Sequence, residues 1–324
     1  MNDFLREIER AKSIVLLGHM RPDGDCVGSC LGVYNYVTDN YPDKQVDLYL
    51  DEFKPEFLFI RGADKVLHEK KDKTYDLCIS LDSGDVDRHG EFATFFHSAR
   101  RTMCVDHHIS NQGFGDVCFL KPDCSATTEA LFTLFEEDKI GQECAESLYL
   151  GIVHDTGVFK FTNTTRQTME IAGKLLEKGA RSQLVIDGTF YKKSFKQNKM
   201  LAKALEEAFL MYDGRVIVSC LTKDVFDENE ATNLDTDGVV DALRVTEGVE
   251  CALWMYEYPV RGRFKCSLRS NEKVDVNLIA CALGGGGHIR AAGCEMDGDK
   301  DTIMLKVTSL IKEQLDAADK DKNV

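Results

Sequence analysis

Ser13-Ile14-Val15-Leu16-Leu17-Gly18-His19-Met20-Arg21-Pro22-Asp23-Gly24-Asp25 passes from an unbroken apolar run straight into an imidazole and two carboxylates. A short apolar run that stops at glycine suits a buried parallel strand. In an open parallel sheet, ligand sites form outside the carboxyl ends of the strands, and residues 19–25 fall there. Gly24 relieves backbone crowding between the two carboxylates. Taken alone, an H-x-x-x-D-x-D segment also reads as a solvated turn, so the rest of the chain must decide.

Working outward, residues 28–38 read as a helix, 46–50 as a second strand, 75–81 as a third and 102–105 as a fourth. Helical patterns follow at 127–137 and 145–153. Strands separated by helices predict βαβ units and a mainly parallel sheet, an α/β class. Residues 166–187 are amphipathic and helical, and 192–211 is a charged helical connector. A β-rich pattern begins at 215–220 and continues at 250–258 and 263–269, with Pro259-Val260-Arg261-Gly262 turning between the last two. This predicts a first domain over 1–190, a helical linker over 191–212 and a smaller α/β domain over 213–324. The Lys/Asp-rich tail after Leu315 is expected to fray.

The other strand ends repeat the theme. The third strand leads into Asp82-Ser83-Gly84-Asp85, and the fourth into Asp106-His107-His108. A later apolar segment, 148–153, reads as ending in the same way at His154-Asp155. One strand-terminal Asp is often only a helix cap. Four segments delivering Asp or His to one edge of one sheet point to metal binding. Mixed carboxylate and imidazole donors suit manganese-like divalent ions, and a carboxylate shared by two ions about 3.5–4 Å apart is the usual device of a binuclear hydrolase.

Composition narrows the partners. A net charge of −15 over 324 residues, with no basic run, argues against tracking long nucleic acids, whose binding draws on neutralised phosphates. A small anion remains accessible through metal ions and a few placed basic groups. The twelve cysteines contain no C-x-x-C pair and read as small buried hydrophobes in a reducing compartment. No apolar stretch approaches the roughly 18 residues that span a bilayer, and no signal-peptide core precedes the first strand, so the expectation is a cytoplasmic chain without membrane association.

Outside these segments, residues 284–287 are four consecutive glycines, followed by His288 and Arg290. Such a run lets backbone amides approach an anion, and a helix start beyond it would reinforce the site. Arg269 offers a planar fork for a phosphate. Lys160, Asn163 and Thr165 could border the first site. His68, His89 and His97 read as surface groups, His154 as packing, Asp85 and Asp87 as helix caps, and Trp254 with Tyr256 as core or interface residues.

With these motifs in view, the sequence resembles the DHH phosphoesterase family, named for the motif standing here as Asp106-His107-His108. A DHHA1-type second domain is similar over Lys265-Cys266-Ser267-Leu268-Arg269-Ser270 and over the glycine run through Gly293. The resemblance implies that His19 and Asp23 hold one manganese ion, that Asp25, His107 and Asp155 hold another, and that Asp82 bridges them. It implies that His108 faces the substrate phosphate while Asp106 orients a histidine, and that Ser267, Arg269, Gly286, Gly287 and His288 bind the substrate's far end. Length and domain plan resemble the nanoRNase/pAp phosphatase type. The implied activity is hydrolysis of short oligoribonucleotides to mononucleotides, and of 3′-phosphoadenosine 5′-phosphate (pAp) to AMP, by in-line attack of a metal-bridging hydroxide. The alternatives are a cyclic di-AMP or pApA phosphodiesterase and, from another class, a non-catalytic nucleotide sensor. A family-II pyrophosphatase is disfavoured by the glycine signature, and a long-strand exonuclease by length and charge. Homodimers are a family expectation.

Overall fold

The structure, a computed structural model, describes residues 2–321. They divide between Lys192 and Lys193 into two compact units. Among them no helix is long and apolar enough to cross a membrane.

The first unit is built on an all-parallel sheet of β1 (Ser13–Leu17), β2 (Gln45–Tyr49), β3 (Leu77–Leu81), β4 (Arg101–Asp106) and β5 (Val117–Leu120), in the order β2-β1-β3-β4-β5. From β1 the chain winds outward to β2 on one side, then continues at β3 on the other. That reversal makes a crevice at the carboxyl ends of β1 and β3. Around the sheet lie α1 (Asp3–Arg10), α2 (Gly24–Asn40), α3 (Ala93–Ser98), α4 (Thr127–Leu134), α5 (Gln142–Asp155), α6 (Arg166–Glu177) and α7 (Ser182–Val185), and a π-helical turn, Ile186–Tyr191, follows.

Helix α2 is buried on nearly every side, from Gly24 to Val33, which is why its sequence shows no clean amphipathic stripe. It packs on α5 at backbone contact. A Cβ on Gly28 would lie 2.5 Å from the Ser147 carbonyl oxygen, and one on Gly32 would lie 2.9 Å from Leu148 Cδ2. Glycine at these positions lets two buried helices approach closely enough to bring Asp25, on the first turn of α2, against the end of α5.

In the second unit a mixed sheet of β6 (Phe209–Met211), β7 (Val216–Leu221), β8 (Cys251–Glu257), β9 (Arg263–Ser270), β10 (Gly286–His288) and β11 (Ala291–Asp297) runs in the order β10-β11-β9-β8-β7-β6. Only the β7–β8 pairing is parallel. Its helices are α8 (Phe195–Glu206), α9 (Lys223–Glu228), α10 (Val239–Arg244), α11 (Val276–Ala282) and α12 (Lys300–Asp321). Met200 and Ala204 of α8 are buried with Trp254 and Phe226 in one of its cores, and Ser219 Oγ donates to the Ala204 carbonyl. The connector helix is thus packed onto the second sheet.

The glycine run leads into a β-hairpin, β10–β11, whose first strand begins at Gly286, so no helix start reinforces it. Gly285 and Gly287 are demanded by close approach, because added Cβ atoms would meet the Gly293 and Ala291 carbonyl oxygens at 2.2 and 2.5 Å. Two expectations are corrected. The tail after Leu315 continues α12 to Asp321, with Arg215 Nη1 bound to Asp319 at 2.5 Å; residues 322–324 lie outside the described residues. His89 is buried, not a surface group: its Nδ1 donates to the Gly18 carbonyl at 2.9 Å and its Nε2 accepts from Ser80 Oγ at 2.8 Å. Trp254 is a core residue as expected, and Asp85 caps the turn that follows it by accepting from Arg88 N.

Candidate metal centre

At the carboxyl ends of β1, β3 and β4 the chain delivers His19, Asp82 and the Asp106–His107–His108 segment to one place. Asp155 reaches the same place as the last residue of helix α5, in line with the helical reading of 145–153 and against the strand-end reading of His154-Asp155. Asp82 has φ 53° and sits in the left-handed region, a conformation more tolerable for Asp than for most residues. The turn points its carboxylate across the crevice.

That carboxylate has two sides. Asp82 Oδ2 lies 3.6 Å from His19 Nε2, and Asp82 Oδ1 lies 3.8 Å from both His107 Nε2 and His108 Nδ1. On the His19 side, Asp23 Oδ1 stands 3.8 Å from His19 Nε2. On the His107 side, Asp155 Oδ2 is 3.1 Å and Asp25 Oδ2 is 3.9 Å from His107 Nε2. Donor atoms of Asp25, His107 and Asp155 lie within 4.8 Å of one another, as do those of His19, Cys26 and Asp82, and those of Asp82, His107 and His108. The six residues expected as metal ligands are therefore brought together, with Asp82 between two half-sites.

Hydrogen bonds on the far side of each ring aim the imidazoles. His19 Nδ1 donates to the Met20 carbonyl at 2.9 Å and His107 Nδ1 to the Cys124 carbonyl at 3.3 Å. Both Nε2 atoms are left facing the carboxylates, an arrangement typical of metal-binding histidines. Burial opposes a charged His19, but hydrogen bonds to Asp23 and Asp82 outweigh it and raise its pKa strongly. Burial likewise opposes His107, yet Asp155, Asp25 and Asp82 push it up to about 10. Asp25 moves the other way from a normal carboxylate: burial, then the charges of Asp82 and Asp155, raise its pKa well above the usual range. Carboxylates that raise one another's pKa while histidines are driven to hold protons describe a cluster short of positive charge. A pair of divalent cations on this donor set would relieve it, so the residues present fit the group.

Asp106 is fully buried and does not join the donor atoms. Its Oδ1 accepts from His108 Nδ1 at 2.7 Å and its Oδ2 from Asn111 Nδ2 at 2.7 Å. The Asp106 hydrogen bond, against the cost of burial, raises the His108 pKa. Residues that carry no sequence signal complete the frame. Thr127 N and Thr128 N donate to Asp25 at 2.6 and 3.0 Å, Thr128 Oγ1 donates to Asp25 at 2.7 Å, and Thr127 Oγ1 donates to Asp82 at 2.9 Å. Cys26, a buried hydrophobe by the sequence reading, does more than pack: its Sγ accepts from His19 N at 3.3 Å, beside the first half-site. Of the bordering residues, Asn163 Nδ2 donates to the Asp155 carbonyl at 3.1 Å. His154 packs on Gly24, where a Cβ would meet its ring at 2.2 Å.

Within the second unit, Ser267 and Arg269 share the less buried face of β9, opposite Gly293 and Ala291 of β11. Gly286, Gly287 and His288 form β10 beside β11. Arg269 Nε stands 3.6 Å from Asp241 Oδ1, and its Nη1 donates to the Leu268 carbonyl.

Residues 13–152 match the model of the DHH family, N-terminal domain, and residues 213–318 match that of the DHHA1 domain. The chain belongs to the DHH/DHHA1 phosphoesterase family. Among members of that family, the bifunctional oligoribonuclease and PAP phosphatase NrnA of Bacillus subtilis is 27% identical over 320 residues, covering 96% of this chain and 98% of that protein. A protein of the same name from Thermus thermophilus is 27% identical over 312 residues, covering 94% and 91%. Among solved structures, an exopolyphosphatase-related protein from Bacteroides fragilis superposes with a TM-score of 0.83 at 25% identity, covering 97% of this chain and 94% of that one. This DHH/DHHA1 phosphoesterase is thus NrnA-like over almost its full length.

Proposed function

We propose that this chain is a manganese-dependent phosphoesterase that degrades short oligoribonucleotides to mononucleotides and removes the 3′-phosphate of pAp. The observation that carries the reading is Asp82, whose two carboxylate oxygens face different histidines, His19 on one side and His107 on the other. In this proposal His19, Asp23 and Asp82 would hold one ion, and Asp25, His107 and Asp155, with Asp82 between, would hold the other. When bound, the two ions supply charge neutralisation at the phosphoryl oxygens and a water acidic enough to attack phosphorus near neutral pH.

The protein's own groups do the rest. Asp106 fixes the His108 ring through Nδ1, which leaves Nε2 as the atom that meets substrate. The Asp106 hydrogen bond favours the protonated ring, and Nε2 would be the atom that hands a proton to the leaving oxygen. A water oxygen bonds to phosphorus as the ester P–O bond breaks; the water gives up a proton to solvent, and the departing alkoxide takes one from His108 Nε2. In the second unit Arg269, Ser267, His288 and the amides of Gly286 and Gly287 would bind a substrate phosphate. The net charge of −15 supports small substrates over long strands, as does likeness to the NrnA proteins over nearly their whole length.

The test is a manganese-dependent turnover panel on pAp, pApA, a five-nucleotide RNA, cyclic di-AMP and pyrophosphate. Mononucleotides from the short RNA together with phosphate from pAp are the expected products. Turnover confined to cyclic di-AMP or pApA would overturn the substrate assignment, and silence on all five would overturn catalysis itself.

A further inference from the structure

Glu129, in the first turn of α4, is fully buried and belongs to none of the donor groups of the metal centre. One of its oxygens, Oε2, accepts from Ser125 N at 3.1 Å, from Ser125 Oγ at 2.6 Å and from Thr168 Oγ1 of α6 at 2.8 Å. The other, Oε1, is buried without a hydrogen-bond partner among the described residues. A buried carboxyl group left half satisfied costs stability, so a residue that only had to fill the core would be apolar here. Glu129 reaches back to the residues before its helix as the glutamate of a capping box does. The other half of such a box is missing at Ala126, and Asp25 supplies it from α2.

Glu129 therefore holds the turn 124–128, and every ligand of one half-site is oriented from that turn. The Cys124 carbonyl accepts from His107 Nδ1 at 3.3 Å. Thr127 N and Thr128 N donate to Asp25 at 2.6 and 3.0 Å. Asn163 Nδ2 donates to the Ser125 carbonyl and to the Asp155 carbonyl, each at 3.1 Å, which ties the end of α5 to the same turn. Thr127 Oγ1 donates to Asp82 Oδ1, the oxygen that faces His107. The ligands of the other half-site are held elsewhere. His19 is fixed through the Met20 carbonyl and Cys26 Sγ, and Asp23 caps α2 by accepting from Asp25 N and Cys26 N.

We infer that Glu129 is a positioning residue for the Asp25–His107–Asp155 half-site alone. It touches neither substrate nor reacting atoms. It fixes the turn from which the three donors are aimed, so that an ion entering that half-site meets them already ordered. The inference rests on the two-ion reading of the centre and adds an asymmetry to it: the two ions depend on different parts of the fold.

The experiment is manganese titration of the metal-free protein by calorimetry, with electron paramagnetic resonance to tell a coupled ion pair from an isolated ion. Glu129→Ala should keep one ion at wild-type affinity and bind the other about 10–100-fold more weakly. At a concentration that fills wild type, its spectrum should be that of an isolated ion. Glu129→Gln retains an oxygen for the three donors and should recover much of the loss. Asn163→Ala, which cuts only the arm to Asp155, should weaken the same single ion and keeps the question open to measurement if Glu129→Ala does not fold. Phe4→Leu, in the same core but on a helix without ligands, is the control: its urea midpoint should fall while both ions bind as in wild type. Equal weakening of both ions in Glu129→Ala, wild-type affinity for both, or the same selective loss in Phe4→Leu refutes the positioning role. A wild type that binds fewer than two ions refutes the two-ion reading, and the asymmetry falls with it.

Discussion

Replacing Gly151 by alanine sets two opposing effects against each other. In a helix interior, alanine is favoured over glycine by about 1 kcal/mol. Gly151 lies inside α5, so propensity alone predicts a more stable protein. The structure reverses the sign. A Cβ there would stand 2.3 Å from Asp25 Oδ1, 2.3 Å from Thr128 Oγ1 and 2.4 Å from Thr128 Cγ2. It would fall on the Thr128–Asp25 hydrogen bond, 2.7 Å long. Either Thr128 turns away and gives up a hydrogen bond to a carboxylate, worth about 1.5–3 kcal/mol, or α5 moves off α2 and the buried interface is strained by about 1–3 kcal/mol. Both routes offset or exceed the propensity gain, so a net loss of up to about 2 kcal/mol is expected in place of a gain. Gly173, inside α6 with nothing within 4 Å of an added Cβ, supplies the control: Gly173→Ala should gain roughly 0.5–1 kcal/mol. Urea unfolding of the metal-free variants measures both, and manganese titration should show Gly151→Ala weakened about 10–100-fold, as for other losses of ligand support. A Gly151→Ala midpoint equal to or above that of Gly173→Ala would show that the close approach of α2, α4 and α5 is not what fixes Asp25.

The same geometry sets three further expectations. Asp82→Asn should reduce bound manganese from two ions per chain to one or none and lower turnover by at least about a hundredfold; two ions by metal analysis and near-wild-type rates would contradict the shared carboxylate. Thr127→Val removes a donor from Asp82 without replacing a ligand, and should cost about 10–100-fold in manganese affinity and about 1.5–3 kcal/mol in stability by urea unfolding. His89 is held neutral by burial, with its pKa lowered to about 4 from 6.5. The unfolded chain therefore takes up a proton that the folded chain refuses, so this contribution is complete above pH 6.5 and is lost as pH falls towards 4, by about 3 kcal/mol in all; His89→Gln should flatten that part of the stability–pH curve, and an unchanged slope would count against the assignment.

What the sequence made legible follows periodicity and position. Leu17–His19, Leu81–Asp82 and Val105–Asp106 are readable because a parallel strand buried on both faces is a plain apolar run, and the polar residue that ends it lies at the sheet edge. Asp155 is offered by the sequence both as the end of a helix over 145–153 and as a strand end, and the helix is what delivers it. Residues 148–153 of α5 are all buried, and an apolar run without a stripe does not distinguish strand from helix. β5 escapes a sequence reading because it is a four-residue edge strand after Gly113 and Gly115. His89 sits among Asp85, Asp87 and Arg88, so its neighbours suggest surface; Gly90, at φ 56°, lies in the kink of that turn. Thr127 and Thr128 carry no local signal, because their partners lie 45, 102 and 103 residues away.

Those two threonines bear on how such a site can exist before any cation arrives. Asp25 is fully buried, and a bare buried carboxylate is costly enough that it would normally take a proton or distort its surroundings. Three of its acceptor positions are filled by the first two amides of α4 and the Thr128 hydroxyl. Amides in the first turn of a helix have no partner within the helix and carry its positive pole. Each end thus answers the other's deficit: α4 has no side-chain cap of its own at Ala126, and Asp25 serves as one from another helix. The remaining Oδ2 direction faces His107, 3.9 Å away. The ligand is therefore positioned by folding, and a metal entering the site need not bear the cost of ordering it. The same reasoning explains why the chain tolerates so many acids in one crevice: Asp25 is held by helix amides, Asp106 by Asn111 and His108, and the charge left facing the centre is that of Asp23, Asp82, Asp155 and the free edge of Asp25, which is the charge two divalent ions would neutralise.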